Sequence, residues 1–446
     1  MASVREGLAL LRQRDFARLF AAYLITHSGS AMAPIALAFG LLETTGSTGD
    51  AACVIAAPVV AQILILMVGG ALADRTSRQR ILVRADATSA LSQGVVAFVF
   101  STGSASLPLL VGLMFVNGAA LAFHQPASVG FIPQVVAPGR IHAANALLGA
   151  ARSAAWMVGA ALAGLLVAGI GAGPTLALDA LSFALAGGLI AGIRARDQVK
   201  PEQASLWSDL RIGWREFTSH TWLWTIVLQF SVLIMGVEAL FGLIGPATAR
   251  DRLGGARDWG WIMACFGAGT IAGGGLTLRL RIDRPMLVAT LSIFVWALLP
   301  LLLIARADLP WLLGAAFVMG MAAQLFGVLW YTTLHTRIPP DRLSRVSAYD
   351  HLGSIVLAPL GVLVAGRLYD SVGADATLGL IVGAILGPTL LVLLVPDVRG
   401  MRSGTSEPVP VEPPRSTPAE CRAGGPSASL RREAAPAPID EPPIPG

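Results

Sequence analysis

Gly69-Gly70-Ala71-Leu72-Ala73-Asp74-Arg75-Thr76-Ser77-Arg78-Gln79-Arg80 is a short polar stretch set between two long apolar runs. Its paired glycines let two backbones approach closely. Asp74 supplies an anion, and Arg75, Arg78 and Arg80 follow it as a cationic clamp. The flanking runs are too oily for water, so the stretch reads as a polar hinge lying just outside a membrane.

Composition supports that placement. The 446 residues are 54% hydrophobic and 13% charged, with a mean hydropathy of +0.68, far from the balance of a soluble globular protein. Apolar runs of about 20 residues recur, enough to cross the roughly 30 Å hydrocarbon layer. Twelve such spans can be placed, from one near residues 19–42 to one near 376–395. The fold class expected is therefore an all-α polytopic membrane protein with twelve transmembrane helices.

The three cysteines, Cys53, Cys265 and Cys421, show no paired spacing, which gives no disulfide framework and no metal motif. No cofactor is implied. Basic residues exceed acidic ones by 32 to 27, and only Lys200 among them is a lysine. Topology accounts for the excess without nucleic acid. Arginines fall in every second connection, as at Arg75 to Arg84, Arg140, Arg194 to Arg215, Arg279 to Arg284 and Arg337 to Arg345, with one exception at 246–258, where Arg250, Arg252 and Arg257 are partly balanced by Asp251 and Asp258. Connections 43–50, 101–106 and 171–173 have none. By the positive-inside rule both termini are cytoplasmic.

Sliding the chain on itself by 202 residues pairs Leu107-Pro108 with Leu309-Pro310, Gly118 with Gly320, Pro138 with Pro340, Gly159 with Gly361, Gly164 with Gly366 and Gly171 with Gly373. Coincident glycines and prolines are harder to obtain by chance than coincident leucines. The offset holds six spans, so the two copies cross in the same direction as parallel six-helix repeats. The boundaries expected are residues 1–194 for the first bundle, 195–221 for a cytoplasmic linker and 222–396 for the second bundle. Residues 397–446, with eleven prolines and no apolar run, are expected to form a disordered cytoplasmic tail.

The hinge resembles the signature loop G-x-L-A-D-R-x-G-R-K of the major facilitator superfamily, which joins the second and third helices there. Ser77 stands where the family has Gly, and Gln79 where it has Lys. Gly70, Leu72, Asp74, Arg75, Arg78 and Arg80 are the gating residues this implies, with Asp74 facing the first turn of helix 11. A shift of 204 residues sets Leu278 opposite Asp74, so the second copy of the hinge lacks the anion. Gly159-Ala160-Ala161-Leu162-Ala163-Gly164 resembles the antiporter signature G-P-x-x-G-G, with Ala160 in place of its proline. Gly159, Gly164, Gly361 and Gly366 are accordingly expected at close helix crossings.

Polar groups inside spans are costly in hydrocarbon and mark cavities or partner helices. The resemblance implies that helices 1, 4, 7 and 10 line the central cavity, where His27, His124, Gln125, Gln229, Glu238 and Gln324 are the candidates. Arg152 on helix 5 is a second intramembrane charge near mid-depth, and Glu238 is the expected proton-carrying group. Asp86, Asp179, Asp350 and His351 read as local pairing groups.

Arg14-Asp15-Phe16, Thr45-Gly46-Ser47, Pro126, Ile132-Pro133, Ala144-Asn145-Ala146 and Asp179-Ala180-Leu181-Ser182-Phe183 resemble the exporter subfamily that includes macrolide efflux proteins and the enterobactin exporter. That resemblance implies a monomeric transporter of the bacterial inner membrane that expels small amphipathic or hydrophobic compounds in exchange for protons. Siderophore export and proton-coupled uptake are the alternatives, and a non-transporting receptor or scaffold is the reading from another class. No phosphate-cradling loop or nucleophile elbow supports an ATPase or a membrane enzyme.

Overall fold

In hydrocarbon every backbone N–H and C=O must be bonded within the segment, so an apolar span becomes a helix. A computed structural model describes residues 9–73, 77–195, 206–280 and 282–402, and no strand occurs among them. The first six passes are α1 (Arg14–Thr45), α2 (Thr48–Ala73), α3 (Arg78–Thr102), α4 (Leu107–Val135), α5 (Ile141–Ile170) and α6 (Ala172–Ala191). The last six are α7 (Thr221–Arg252), α8 (Ala256–Thr277), α9 (Pro285–Ile304), α10 (Leu309–Arg337), α11 (Pro340–Ile355 continued by Ala358–Val372) and α12 (Ala374–Val392). Ten of these are long and apolar enough to cross a membrane, and the protein is an all-α polytopic membrane protein. The other two are α3, which carries Arg78, Arg80, Arg84 and Asp86, and the glycine-rich α8.

The repeat is visible in the packing. α1 packs on α5 and α6, α2 on α4, and α3 on α4 and α6. The last six helices copy this, with α7 on α11 and α12, α8 on α10, and α9 on α10 and α12. Glycines at the 202-residue offset sit at equivalent crossings. A Cβ on Gly118 would strike the Pro58 backbone of α2, and one on Gly320 the Phe266 backbone of α8. Gly171 and Gly373 turn the chain between the fifth and sixth helices of each copy with φ of 91° and 86°, where a side chain would be strained.

The copies meet through two related joints, α5 against α8 and α2 against α11. Gly164 lies against Gly260 in the first, and Gly366 against Ala52 and Thr48 in the second. Gly159 and Gly361 instead admit neighbours of their own copy, Ser28 of α1 and Met235 of α7. Both joints lie toward the end of the bundle that holds Gly46, opposite the end that holds Arg78.

Only the last six helices are interrupted. A π turn, Leu240–Ile244, stands before Pro246 in α7. A 3-10 turn, Ile293–Ala297, stands before Pro300 in α9, and α11 breaks at Val356 and Leu357 ahead of Pro359. In each case the proline ring, which lacks an N–H and crowds the carbonyl four residues back, lies just beyond the rewound turn, whereas Pro34, Pro58, Pro126 and Pro388 are carried inside continuous helices. Large exposed side chains such as Leu91, Phe98, Trp311 and Leu394 lie on the outer surface, where lipid and not water receives them.

The linker contains a helix, Leu206–Ser219, that packs on α11. Phe217 is buried there beside Tyr349, and Arg342 Nη1 pairs with Glu216 Oε2 at 2.5 Å. Residues 397–402, expected within the tail, pack on the bundle. Pro396–Gly400 forms one helical turn, Val398 is fully buried, and Arg337 Nη2 donates to the Arg402 carbonyl at 3.0 Å. A single apolar residue beside a proline was enough to seat this turn, a pattern too short for periodicity to reveal.

Candidate functional site

The hinge is only partly within view. Gly70 and Leu72 close α2, while Asp74 and Arg75 lie outside the described residues. Arg78 Nη1 donates to the Gly130 carbonyl of α4 at 2.5 Å, and a Cβ at Gly130 would overlap that guanidinium. Gln79, standing where the superfamily signature has a cation, donates through Nε2 to the Ile190 and Ile193 carbonyls at 2.8 Å each. It thereby ties the start of α3 to the carbonyls at the end of α6, a task an amide performs without charge. Arg80 is exposed. In the second copy of the hinge Leu278 is exposed too, at 89%.

Inside the first six helices the ionisable residues form a cluster. His124 Nε2 of α4 lies 3.2 Å from Oδ1 of Asp86, a carboxylate only 1% exposed on α3. His27 packs edge-on against Tyr23 one turn away, and the Tyr23 hydroxyl is hydrogen-bonded to Ser128 Oγ. Tyr23, His27, His124 and Ser128 line one cavity of about 20 Å³, room for a single water molecule. Arg152 of α5 is exposed and close enough to Tyr23, His27 and Tyr331 to act on each electrostatically. It therefore stands between the copies, and it forms no ion pair among the described residues.

Glu238 of α7 is exposed, but to a cavity of about 240 Å³ whose other walls belong almost wholly to the first copy. Ser30, Gln62, Gln93, Asn117 and Asp179 contribute its polar lining. Asp179 is fully buried and accepts from Gln93 Nε2 at 3.1 Å through Oδ2. Asp179 Oδ1, Gln93 Oε1 and Asn117 Nδ2 have no hydrogen-bond partner among the described residues. Buried polar atoms left so are costly unless water, a proton or a ligand visits them. The π turn begins two residues after Glu238, so its register is set by a local change of helical pitch.

A separate cavity of about 510 Å³ lies within the last six helices. Phe230, Trp296, Phe326, Trp330 and Tyr331 line it, together with Asp350 and His351. Phe230 stacks on Phe326 with centroids 4.4 Å apart, and Trp330 Nε1 donates to Asp350 Oδ2 at 3.1 Å. Asp350 was expected as a local pairing group; its one side-chain partner is an indole, and it faces an aromatic chamber. The spacing of Phe326 and Trp330, four apart on one helical face, is the sequence signal that would have found this chamber.

Three expected cavity residues line none of the cavities described above. Gln229, 2% exposed, donates to Thr389 Oγ1 at 2.9 Å and so joins α7 to α12. Gln324 turns toward Gly274 of α8, and Gln125 is exposed without lining any of these cavities. Membership of a lining helix assigns a helix, whereas the 100° turn per residue assigns the side chain.

Asp370 was missed altogether. From α11 it accepts from Ser47 Oγ at 2.9 Å, from the Thr48 N–H at 3.1 Å, from the Gly49 N–H at 2.8 Å and from the Thr48 hydroxyl. It caps the N-terminus of α2 from across the joint, where the helix dipole favours an anion.

Twelve passes in two related sets of six, joined at one end and enclosing cavities with intramembrane charges, define a transporter of the major facilitator superfamily. Within it the chain belongs to the transmembrane secretion effector family, whose model matches residues 5–336. The multidrug efflux pump Tap of Mycobacterium tuberculosis is 24% identical over 397 residues, 86% of this chain and 94% of that protein. Macrolide efflux protein A of Streptococcus pyogenes is 23% identical over 375 residues, 81% of this chain and 90% of that protein. Among solved structures, the nucleoside transporter NupG matches with a TM-score of 0.70 at 13% identity, covering 85% of this chain and 98% of that one. A bacterial homologue of the iron transporter ferroportin in an inward-facing state matches at 0.67 and 16%, covering 85% and 98%. The chain is thus a multi-pass membrane transporter of small molecules.

Proposed function

We propose that this transporter exports small amphipathic or hydrophobic compounds from the bacterial cytoplasm in exchange for protons, by alternating access of the two six-helix copies. The observation that carries the reading is Glu238, which the second copy presents to a polar cavity built by the first. A carboxylate at such a boundary changes its surroundings whenever the copies rock, which is what exchange of a proton between two sides requires. Asp179 shares that cavity and is the second acid able to hold the proton.

Direction rests on the relatives, two of which are named efflux pumps. Orientation rests on the arginine-rich connections, which put the Arg78 end and both termini in the cytoplasm. With that orientation the joints close the periplasmic side, and the conformation is one that receives substrate from within. Gly70, Leu72, Asp74, Arg75, Arg78 and Arg80 then form the cytoplasmic gate, with Asp74 on the first turn of α11.

Proteoliposomes of purified protein under an imposed pH gradient test the reading. Glu238→Gln should bind substrate yet lose gradient-driven accumulation by tenfold or more. Unchanged accumulation in that variant removes Glu238 from coupling, and accumulation indifferent to the gradient in the unaltered protein removes the proton.

A further inference from the structure

The chamber within the last six helices is distinct from the Glu238 cavity and draws on α7, α9, α10 and α11 alone. At about 510 Å³ it falls within the usual size of a small-molecule site. Its walls are ring faces. Phe230 stacks on Phe326, Phe326 on Trp330, and Trp296 meets Phe230 edge to face. The charged group among these rings is Asp350, 9% exposed, which takes part in no ion pair among the described residues. The neighbours that face the chamber from the packed helices are Tyr331 of α10, Ser347, His351 and Ser354 of α11, and apolar side chains of α7, while the exposed Arg152 of α5 stands near Tyr331 outside the ring wall.

A carboxylate withdrawn from water without a cation is costly, and a bound counter-charge relieves that cost. Aromatic faces carry negative potential and attract a weakly hydrated cation whose own body is apolar. An anion would meet the opposite on both counts. We infer that this chamber, resting on the transport reading above, is a binding site for lipophilic organic cations, with Asp350 as counter-charge and Phe230, Phe326 and Trp330 as the aromatic wall. Trp330 has a second task, because its indole N–H fixes the Asp350 carboxylate from one side and leaves the other oxygen to the ligand.

The test uses the purified full-length protein in detergent and two probes of equal shape and opposite charge, tetraphenylphosphonium and tetraphenylborate. Quenching of tryptophan fluorescence reports binding from inside the chamber. Tetraphenylphosphonium should quench saturably, and tetraphenylborate should bind at least tenfold more weakly. Asp350→Asn should weaken tetraphenylphosphonium tenfold or more, Asp350→Glu should restore most of that loss, and Phe326→Ala should weaken it severalfold. Equal binding of the two probes, or undiminished binding of the cation by Asp350→Asn, overturns the assignment. Should Asp350→Asn not remain monodisperse, the two-probe comparison and Phe326→Ala still decide it. Vesicle flux separates this inference from the transport reading. Binding through Asp350 without any flux sinks transport and spares the site, whereas flux of another compound by protein indifferent to tetraphenylphosphonium sinks the site alone.

Discussion

The two six-helix copies share a scaffold and differ in what they enclose. Glycines 202 residues apart hold equivalent crossings in both, and the turns at Gly171 and Gly373 match in conformation. Between those fixed points the first copy keeps continuous helices and buries hydrogen-bonding and ionisable groups, namely Asp86, Gln93, Asn117 and Asp179, with the half-buried His124 beside Asp86. The second breaks three of its helices at prolines and fills its interior with aromatic rings around Asp350. Duplication thus retained the residues that set helix distance and released those that set chemistry. A small residue at a crossing has no substitute, since overlap there moves whole helices. An interior side chain can change freely as long as its volume and its hydrogen bonds are replaced.

If the two joints are equivalent, obstructing either should have the same large effect. Gly164→Leu sets a side chain into the Gly260 backbone and Gly366→Leu sets one into Thr48 and Ala52. Overpacking of this kind costs about 1–3 kcal/mol, or about 5- to 150-fold in the population of the joined state. Efflux should fall by that order in both variants at unchanged membrane levels. Gly112→Leu and Gly314→Leu, where no neighbour lies within 4 Å, are the matched controls. An intact Gly366→Leu beside an inactive Gly164→Leu would break the equivalence.

The next expected effect separates the joints. Only α2 with α11 carries the Asp370 cap, whereas the α5 and α8 crossing is glycine on glycine. Loss of a helix cap costs about 1–2 kcal/mol. Asp370→Ala should therefore shift the distance distribution between spin labels across the Gly46 end toward separation. An unaltered distribution would mean that small-residue packing alone closes this end. The pairing also invites a comparison along α2 itself. Asp370 caps one end of that helix from α11, and the proposed gate would set Asp74, which follows the other end of α2, against the N-terminal part of α11.

Much of this architecture could be read from the sequence, for reasons that differ by feature. Spans, repeat and crossings follow from hydropathy and from glycines, signals that are local or that recur at a fixed offset. Glu238 and Arg152 could be singled out because charge inside a span is rare. Gln229 and Gln324 were misplaced because the lining helices were known while their rotation was not, and one residue of rotation turns a cavity group into a helix contact. Asp370 escaped because it stands near the end of a span, where a carboxylate is unremarkable until Thr48 is seen beside it. The aromatic chamber escaped because its rings come from three helices and each ring alone looks like ordinary core.

A smaller effect tests the contrast in interiors through two glutamines. Gln93 donates to a carboxylate in the first copy, and Gln229 donates to the Thr389 hydroxyl in the second. Hydrogen bonds to charged groups contribute about 1.5–3 kcal/mol and neutral ones about 1. Thermal melting of purified protein should show a larger loss for Gln93→Leu than for Gln229→Leu. Equal losses would indicate that Asp179 is neutral, and that the two interiors are less different in charge than in shape.

The smallest effect concerns the C-terminal segment, which the second copy holds. Val398 and Met401 are buried against the bundle, and Arg337 binds the Arg402 carbonyl, so the chain remains part of the fold to about that point. Beyond it the proline-rich sequence has no apolar periodicity from which to build a core. Truncation after Gly404 should leave efflux within about a factor of two, as expected for a proline-rich sequence without an apolar run. Truncation after Val395 should instead lower the melting temperature, because it strips Val398 and Met401 from their seat. The pair of truncations separates a structural turn from a regulatory tail. If efflux disappeared after Gly404 while protein levels and melting temperature held, the tail would act on the transport cycle itself.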